Sequence, residues 1–251
     1  MNLKKIHKLL IACVAIFGCS APSLSLADTF GISPFALYEQ ADNQIVVDGV
    51  SSQYALGVAG IAFNFNVINN FELTAAAGYG FTSNQKVSFA GANLMGDVSG
   101  TYTGLGAKIK IYENSRGQKI KLEYQMHTRD LRAPTLTGSR NGSPLTGNSD
   151  IEYDSNDFGI SVVHPFSEDV STHFAFGVSK WDFAANGTAF TNNNITARKN
   201  ISASGSDPYW SVGVDMKLEK LEAKVEIGQR RLSSQSKAKI SHITIGAQYS
   251  F

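Results

Sequence analysis

Between Lys119 and Arg129 apolar side chains fall on every second residue, with Ile120, Leu122, Tyr124 and Met126 on one face. Lys119, Lys121, Glu123, Gln125, His127 and Arg129 occupy the other. A helix would space its apolar residues three and four apart, so the segment reads as a strand with one apolar and one charged face. The stretch before it follows the same rule, setting Leu105, Ala107, Ile109 and Ile111 against Gly104, Gly106, Lys108 and Lys110. Between the two, Glu113-Asn-Ser-Arg-Gly-Gln118 has the polarity and glycine of a tight turn, which makes the pair a hairpin.

This alternation predicts ten strands, over 30–40, 53–66, 71–82, 100–112, 118–129, 152–164, 170–183, 208–218, 221–231 and 239–251. Short turns fall near 67–70, 113–117, 165–169 and 219–220. Long polar links fall at 41–52, 83–99, 130–151 and 184–207, with a shorter one at 232–238. Short turns at one end and long links at the other are what an antiparallel transmembrane barrel produces, with an even strand number when both termini lie on one side. Two strands are weakly patterned. The first holds Pro34, and in the second the apolar set Tyr54, Leu56, Val58 changes parity to Ile61, Phe63, Phe65, which suggests a bulge near Gly60. Merging strands there would leave eight.

A strand of about 12 residues at about 3.3 Å per residue, tilted about 40°, is roughly 30 Å tall, the height of a bilayer's apolar band. Aromatic residues gather where the rims of that band would lie. Phe65, Phe71, Tyr112, Phe166, Tyr249 and Phe251 are near the short turns, and Tyr54, Phe81, Tyr102, Phe158, Trp181 and Trp210 near the long links.

The N-terminus places the chain in an exported class. Lys4, Lys5 and Lys8 precede an apolar run from Leu9 to Phe17, and Ser25-Leu26-Ala27 is a small-residue exit, so residues 1–27 read as a signal peptide cleaved after Ala27. The barrel domain is then 28–251. Both cysteines, Cys13 and Cys19, lie in the signal, leaving no thiol to be misoxidised in the periplasm. Removal of three of the 22 basic residues against 21 acidic ones leaves 19 − 21 = −2, which argues against nucleic acid as a partner. With no apolar helix in the remainder, a membrane crossing requires strands closed on themselves, because lipid offers no partner to a free backbone edge.

The final residues, Thr244-Ile-Gly246-Ala-Gln-Tyr249-Ser-Phe251, alternate to the last position. Thr244, Gly246, Tyr249 and Phe251 resemble the closing-strand signature of Gram-negative outer-membrane β-barrels, and the whole chain is most similar in architecture to the small opacity-protein and outer-membrane-protein-A transmembrane barrels. The resemblance implies an outer-membrane location, and periplasmic chaperones and barrel-assembly machinery as partners that read this strand.

Inward positions carry both signs: Glu72, Lys108, Lys110, Lys121, Glu123, Asp215, Lys217, Glu222, Lys224, Glu226 and Arg230. A barrel of about eight strands is filled by its own side chains, whereas about 16 leave a channel. The expectation is therefore a lumen of paired polar groups and a structural or adhesin-like role, with a small porin as the alternative. Arg129, Arg132 and Arg140, in or beside the third long link, are candidate contacts for lipopolysaccharide phosphates or an anionic host surface. Similar barrels include lipid-modifying enzymes and proteases, but no Asp-x-His or His-x-Ser arrangement of the kind associated with them is present, so no enzyme is expected. Neither a cofactor motif nor a metal-ligand cluster is legible. Glycines 104, 106, 159, 177, 213 and 246 read as small lumen-facing positions.

Overall fold

In the computed structural model, residues 30–250 are described apart from 43–44, 49, 53–54, 69, 90, 192–193, 220 and 233–237. The expected signal peptide with its expected cleavage after Ala27, and Tyr54 and Phe251, lie outside the described residues.

The described chain is a single antiparallel meander of twelve strands. They are β1 (Phe30–Ala41), β2 (Ile45–Val47), β3 (Val50–Ser52), β4 (Ala55–Ile68), β5 (Phe71–Phe89), β6 (Ala92–Glu113), β7 (Lys119–Arg140), β8 (Ser143–Pro165), β9 (Val170–Thr191), β10 (Asn194–Leu218), β11 (Leu221–Leu232) and β12 (Ala238–Ser250). Ten of these close into a ring. Each pairs with the next, β4 pairs with β1, and β12 returns to β1 through Phe35↔Gly246 and Leu37↔Thr244. The eight-strand alternative is thereby excluded. The β2–β3 hairpin stands outside the ring and adds to the upper end of β5 through Ser51↔Ser88.

The outward face carries the lipid band. Ile61, Phe63, Tyr79, Phe81, Ile109, Tyr124, Phe158, Phe174, Phe176, Val178, Val225, Ile227, Ile243 and Ile245 are each 36–59 % exposed. Large apolar groups exposed in a continuous girdle find their solvent in acyl chains. Tyr102 and Trp181 do not belong to its rim, contrary to the sequence expectation. They point inward and are 5 % and 4 % exposed. The parity change in β4 also has a different cause, because the β4–β5 register runs unbroken from Gly57 to Asn66. Leu56 and Val58 are apolar and inward, Ile61 and Phe63 apolar and outward, so the environment of the lumen changes along the strand while the backbone does not bulge at Gly60.

The long polar links are corrected as well. Links 83–99, 130–151 and 184–207 are continuations of β5 to β10, folded back at Gly91, at Asn141–Gly142 and after Thr191. Asn141 and Gly142 both have positive φ, 49° and 81°, as a two-residue hairpin turn demands. The walls are consequently unequal. β8, with 23 residues, spans about 60 Å along the barrel axis and β11, with 12, about 30 Å, taking about 3.3 Å per residue and a tilt of about 40°.

Candidate functional site

The lower lumen, next to the short turns, holds a polar cavity of about 340 Å³. Nine of the eleven charged positions named from sequence line it: Glu72, Lys108, Lys121, Glu123, Asp215, Glu222, Lys224, Glu226 and Arg230. Opposite charges meet there between adjoining strands, between strands two apart and along a single strand. Lys108 Nζ is 3.4 Å from Glu123, Lys121 is 3.6 Å from Glu72, and Lys224 is 3.2 Å from Glu226. The Ser161 hydroxyl donates to Glu123. His173 stands between two carboxylates, with Nδ1 2.8 Å from Asp215 and Nε2 2.8 Å from Glu226, and His242 Nε2 is 3.6 Å from the other Glu226 oxygen.

Lys110 and Lys217 leave this group. Lys110 bonds Glu113 at the turn, and Lys217 is exposed at the end of β10, its N–H donating to the Asp169 carbonyl. The turn itself is tied by Asn114, whose side-chain oxygen accepts from the N–H groups of Arg116 and Gln118. Lys110 and Lys119 together hold the Glu113 carboxyl below the usual carboxylate range, chiefly through the Lys110 hydrogen bond.

The upper end of the cavity is lined by a layer of buried charge. Arg129 is 1 % exposed, donates to Glu39, and stacks its guanidinium over Tyr153 and Tyr102 at 4.9 and 5.5 Å from the ring centroids. Arg230 bonds Asp157 at 3.2 Å. This removes Arg129 from the expected anion contacts, because an inward parity on β7 puts its side chain inside the wall, where no lipid phosphate reaches. Arg132 and Arg140 are exposed, the former 3.3 Å from Asp150. The Tyr102 hydroxyl meets His127 Nδ1 at 2.7 Å, and Trp181 Nε1 donates to Asp207 at 2.8 Å.

The upper lumen is apolar. Leu37, Leu56, Val58, Val98, Leu131, Ala133, Leu136 and Leu145 form one buried cluster, joined by Val50 of the outlying hairpin. A second cluster joins Tyr153, Trp181, Ala203, Leu232 and Ile240. Glu39 and this apolar stopper are what sequence reasoning missed. Glu39 is hidden by the weak pattern of β1, and from sequence the parity change after Leu56 and Val58 reads as a backbone irregularity.

Thr244 and Gly246 of the closing strand line the cavity, and the backbone of Tyr249 pairs with Leu221 and Ile32. Among the described residues no cluster of three or more His, Cys, Asp or Glu could hold a metal.

No protein-family model and no curated relative matches the chain. Among solved structures it is similar to the outer membrane protease OmpT from Escherichia coli, with a TM-score of 0.58 at 12 % identity over 92 % of this chain and 100 % of that one. Also found are the translocator domain of the autotransporter NalP from Neisseria meningitidis, with a TM-score of 0.47 at 10 % identity over 99 % and 96 %, and the attachment invasion locus protein Ail of Yersinia pestis, with 0.34 at 12 % over 88 % and 99 %. The fold is that of the Gram-negative outer-membrane β-barrels, and the lipid-facing girdle is in keeping with that membrane.

Proposed function

We propose that this outer-membrane β-barrel is a closed, non-enzymatic protein whose work is structural or adhesive, done by the tall β5–β10 wall outside the membrane. The observation that carries this reading is the stopper of Leu56, Leu131, Leu136 and their neighbours above the Arg129–Glu39 layer. An ion crossing it would lose its hydration with nothing polar to replace it. The histidines support the non-enzymatic part, since His127, His164 and His173 are bonded to Tyr102, Gln118 and a carboxylate pair within the wall and lumen.

Planar-bilayer recording and liposome swelling with purified protein test it. The expected result is solute uptake equal to that of empty liposomes and no stable conductance step. The cavity of about 340 Å³ favours a second reading, a narrow pore, which regular conductance steps would establish. A surface ligand for the tall wall is tested by comparing cell binding of the intact protein with one shortened at Asn141–Gly142. Barrel-assembly machinery and periplasmic chaperones are the partners proposed for the closing strand during biogenesis.

A further inference from the structure

The outward face of the short wall ends in an unusual rung. Ile227 and Ile243 are direct cross-strand partners on β11 and β12, each 46 % exposed, and close the lipid band on this side. The next outward rung is Gln229 and Ser241, joined by a 3.3 Å hydrogen bond from the amide to the hydroxyl. The rung beyond it is Arg231 opposite Lys239, both exposed. Like charges directly opposite on adjoining strands repel, so this pair costs stability unless an anion lies between them. The acid beside them, Asp42, turns its carboxylate to the Lys239 backbone N–H at 2.8 Å.

Height selects the anion. Four residues at about 3.3 Å, tilted about 40°, put this rung about 10 Å above the Ile227–Ile243 rung, in the headgroup layer, and both side chains are long enough to reach back toward the acyl boundary. The tall wall mixes its signs at this height, with Lys180 across from Asn156 and, one rung farther, Asp154 across from Asp182. We propose that Arg231 and Lys239 together clamp a phosphate group of an outer-leaflet lipid, the guanidinium as a bidentate donor and the ammonium as a point charge. The proposal rests on the outer-membrane reading above.

The test uses the full barrel in detergent micelles, with native mass spectrometry of bound bisphosphoryl lipid A against enzymatically dephosphorylated lipid A. The intact protein should retain the phosphorylated form about tenfold more tightly, the scale of one charge-assisted contact. In the double variant Arg231→Gln/Lys239→Gln that preference should fall to about parity, while Arg198→Gln, an exposed cation on the tall wall, keeps it. An unchanged preference in the first variant overturns the proposal, and so does displacement of the lipid by inorganic phosphate at equal concentration. Heat-modifiable migration of both variants reports folding. If the intact protein fails to insert into phosphatidylcholine vesicles, it is the membrane reading that falls.

Discussion

The imidazole of His173 lies on Gly213, its direct cross-strand partner, so closely that a β-carbon there would overlap the ring. His242 covers Gly228 in the same way, Trp181 covers Gly205, and the Tyr209 ring covers Gly177 and Gly159. Glycine is required at these places as a slot for a neighbour's ring. We expect Gly213→Ala to push His173 away from Asp215 and Glu226, lowering the temperature at which heat-modifiable migration is lost and shifting the His173 ring resonances. Gly106→Ala is the control, since a β-carbon there meets nothing nearer than 3.5 Å.

Arg129 and Glu39 form an ion pair with 1 % and 2 % side-chain exposure. Removing one partner strands the other charge in a buried position, so Arg129→Met alone should destabilise the barrel by about 3–5 kcal/mol. Arg129→Met combined with Glu39→Gln should recover much of that loss. Urea-driven unfolding of the two variants in micelles measures the difference; equal losses would remove the pair from the argument.

Leu56 and Leu131 meet over Gly80, where the β-carbon of any larger residue would lie 3.2 Å from both. Leu56→Ala should cost about 2–5 kcal/mol through the cavity it leaves. It should not by itself produce conductance steps, because Val58, Val98 and Leu136 remain in the stopper.

Glu113 titrates below an ordinary glutamate because Lys110 and Lys119 favour its charged form. Its folded value is lowered, so the contribution to the turn is present above the unfolded glutamate range and fades as pH falls through the folded value. A carboxyl-carbon NMR titration should place its midpoint below that of a reference glutamate, and Lys110→Met should raise it.

In the sequence, Phe251 has the same parity as Ile243 and Ile245, which lie outward on the strand that closes the ring. Its deletion should reduce insertion of the barrel, read as less heat-modifiable protein in membranes. Normal levels would separate the aromatic terminus from assembly.

The ten-strand ring was legible because lipid imposes alternation on every strand that faces it, as Ile120 to Met126 show. Where the wall rises into water that imposition stops, and β5 to β10 continue mainly through Ser, Thr, Asn and Gly, with isolated exposed apolar groups such as Met95 and Ile195 and no regular outward alternation. The Asn141-Gly142 dipeptide could have located one turn. It was not decisive alone, because Asn186-Gly187 has the same sequence and lies within β9. Nor could parity tell an inward Arg129 that serves a ligand from one that serves Glu39, whose strand contains Pro34 and alternates poorly.

The Asn141–Gly142 turn crowns strands of 22 and 23 residues that are paired almost to their last residue. A surface protease needs an extended, unpaired segment in its cleft, and here it would have to unzip a ladder first. The tip should therefore survive shaving of intact cells, and an epitope spliced between Asn141 and Gly142 would be carried on a stiff mast about 30 Å clear of the outer leaflet.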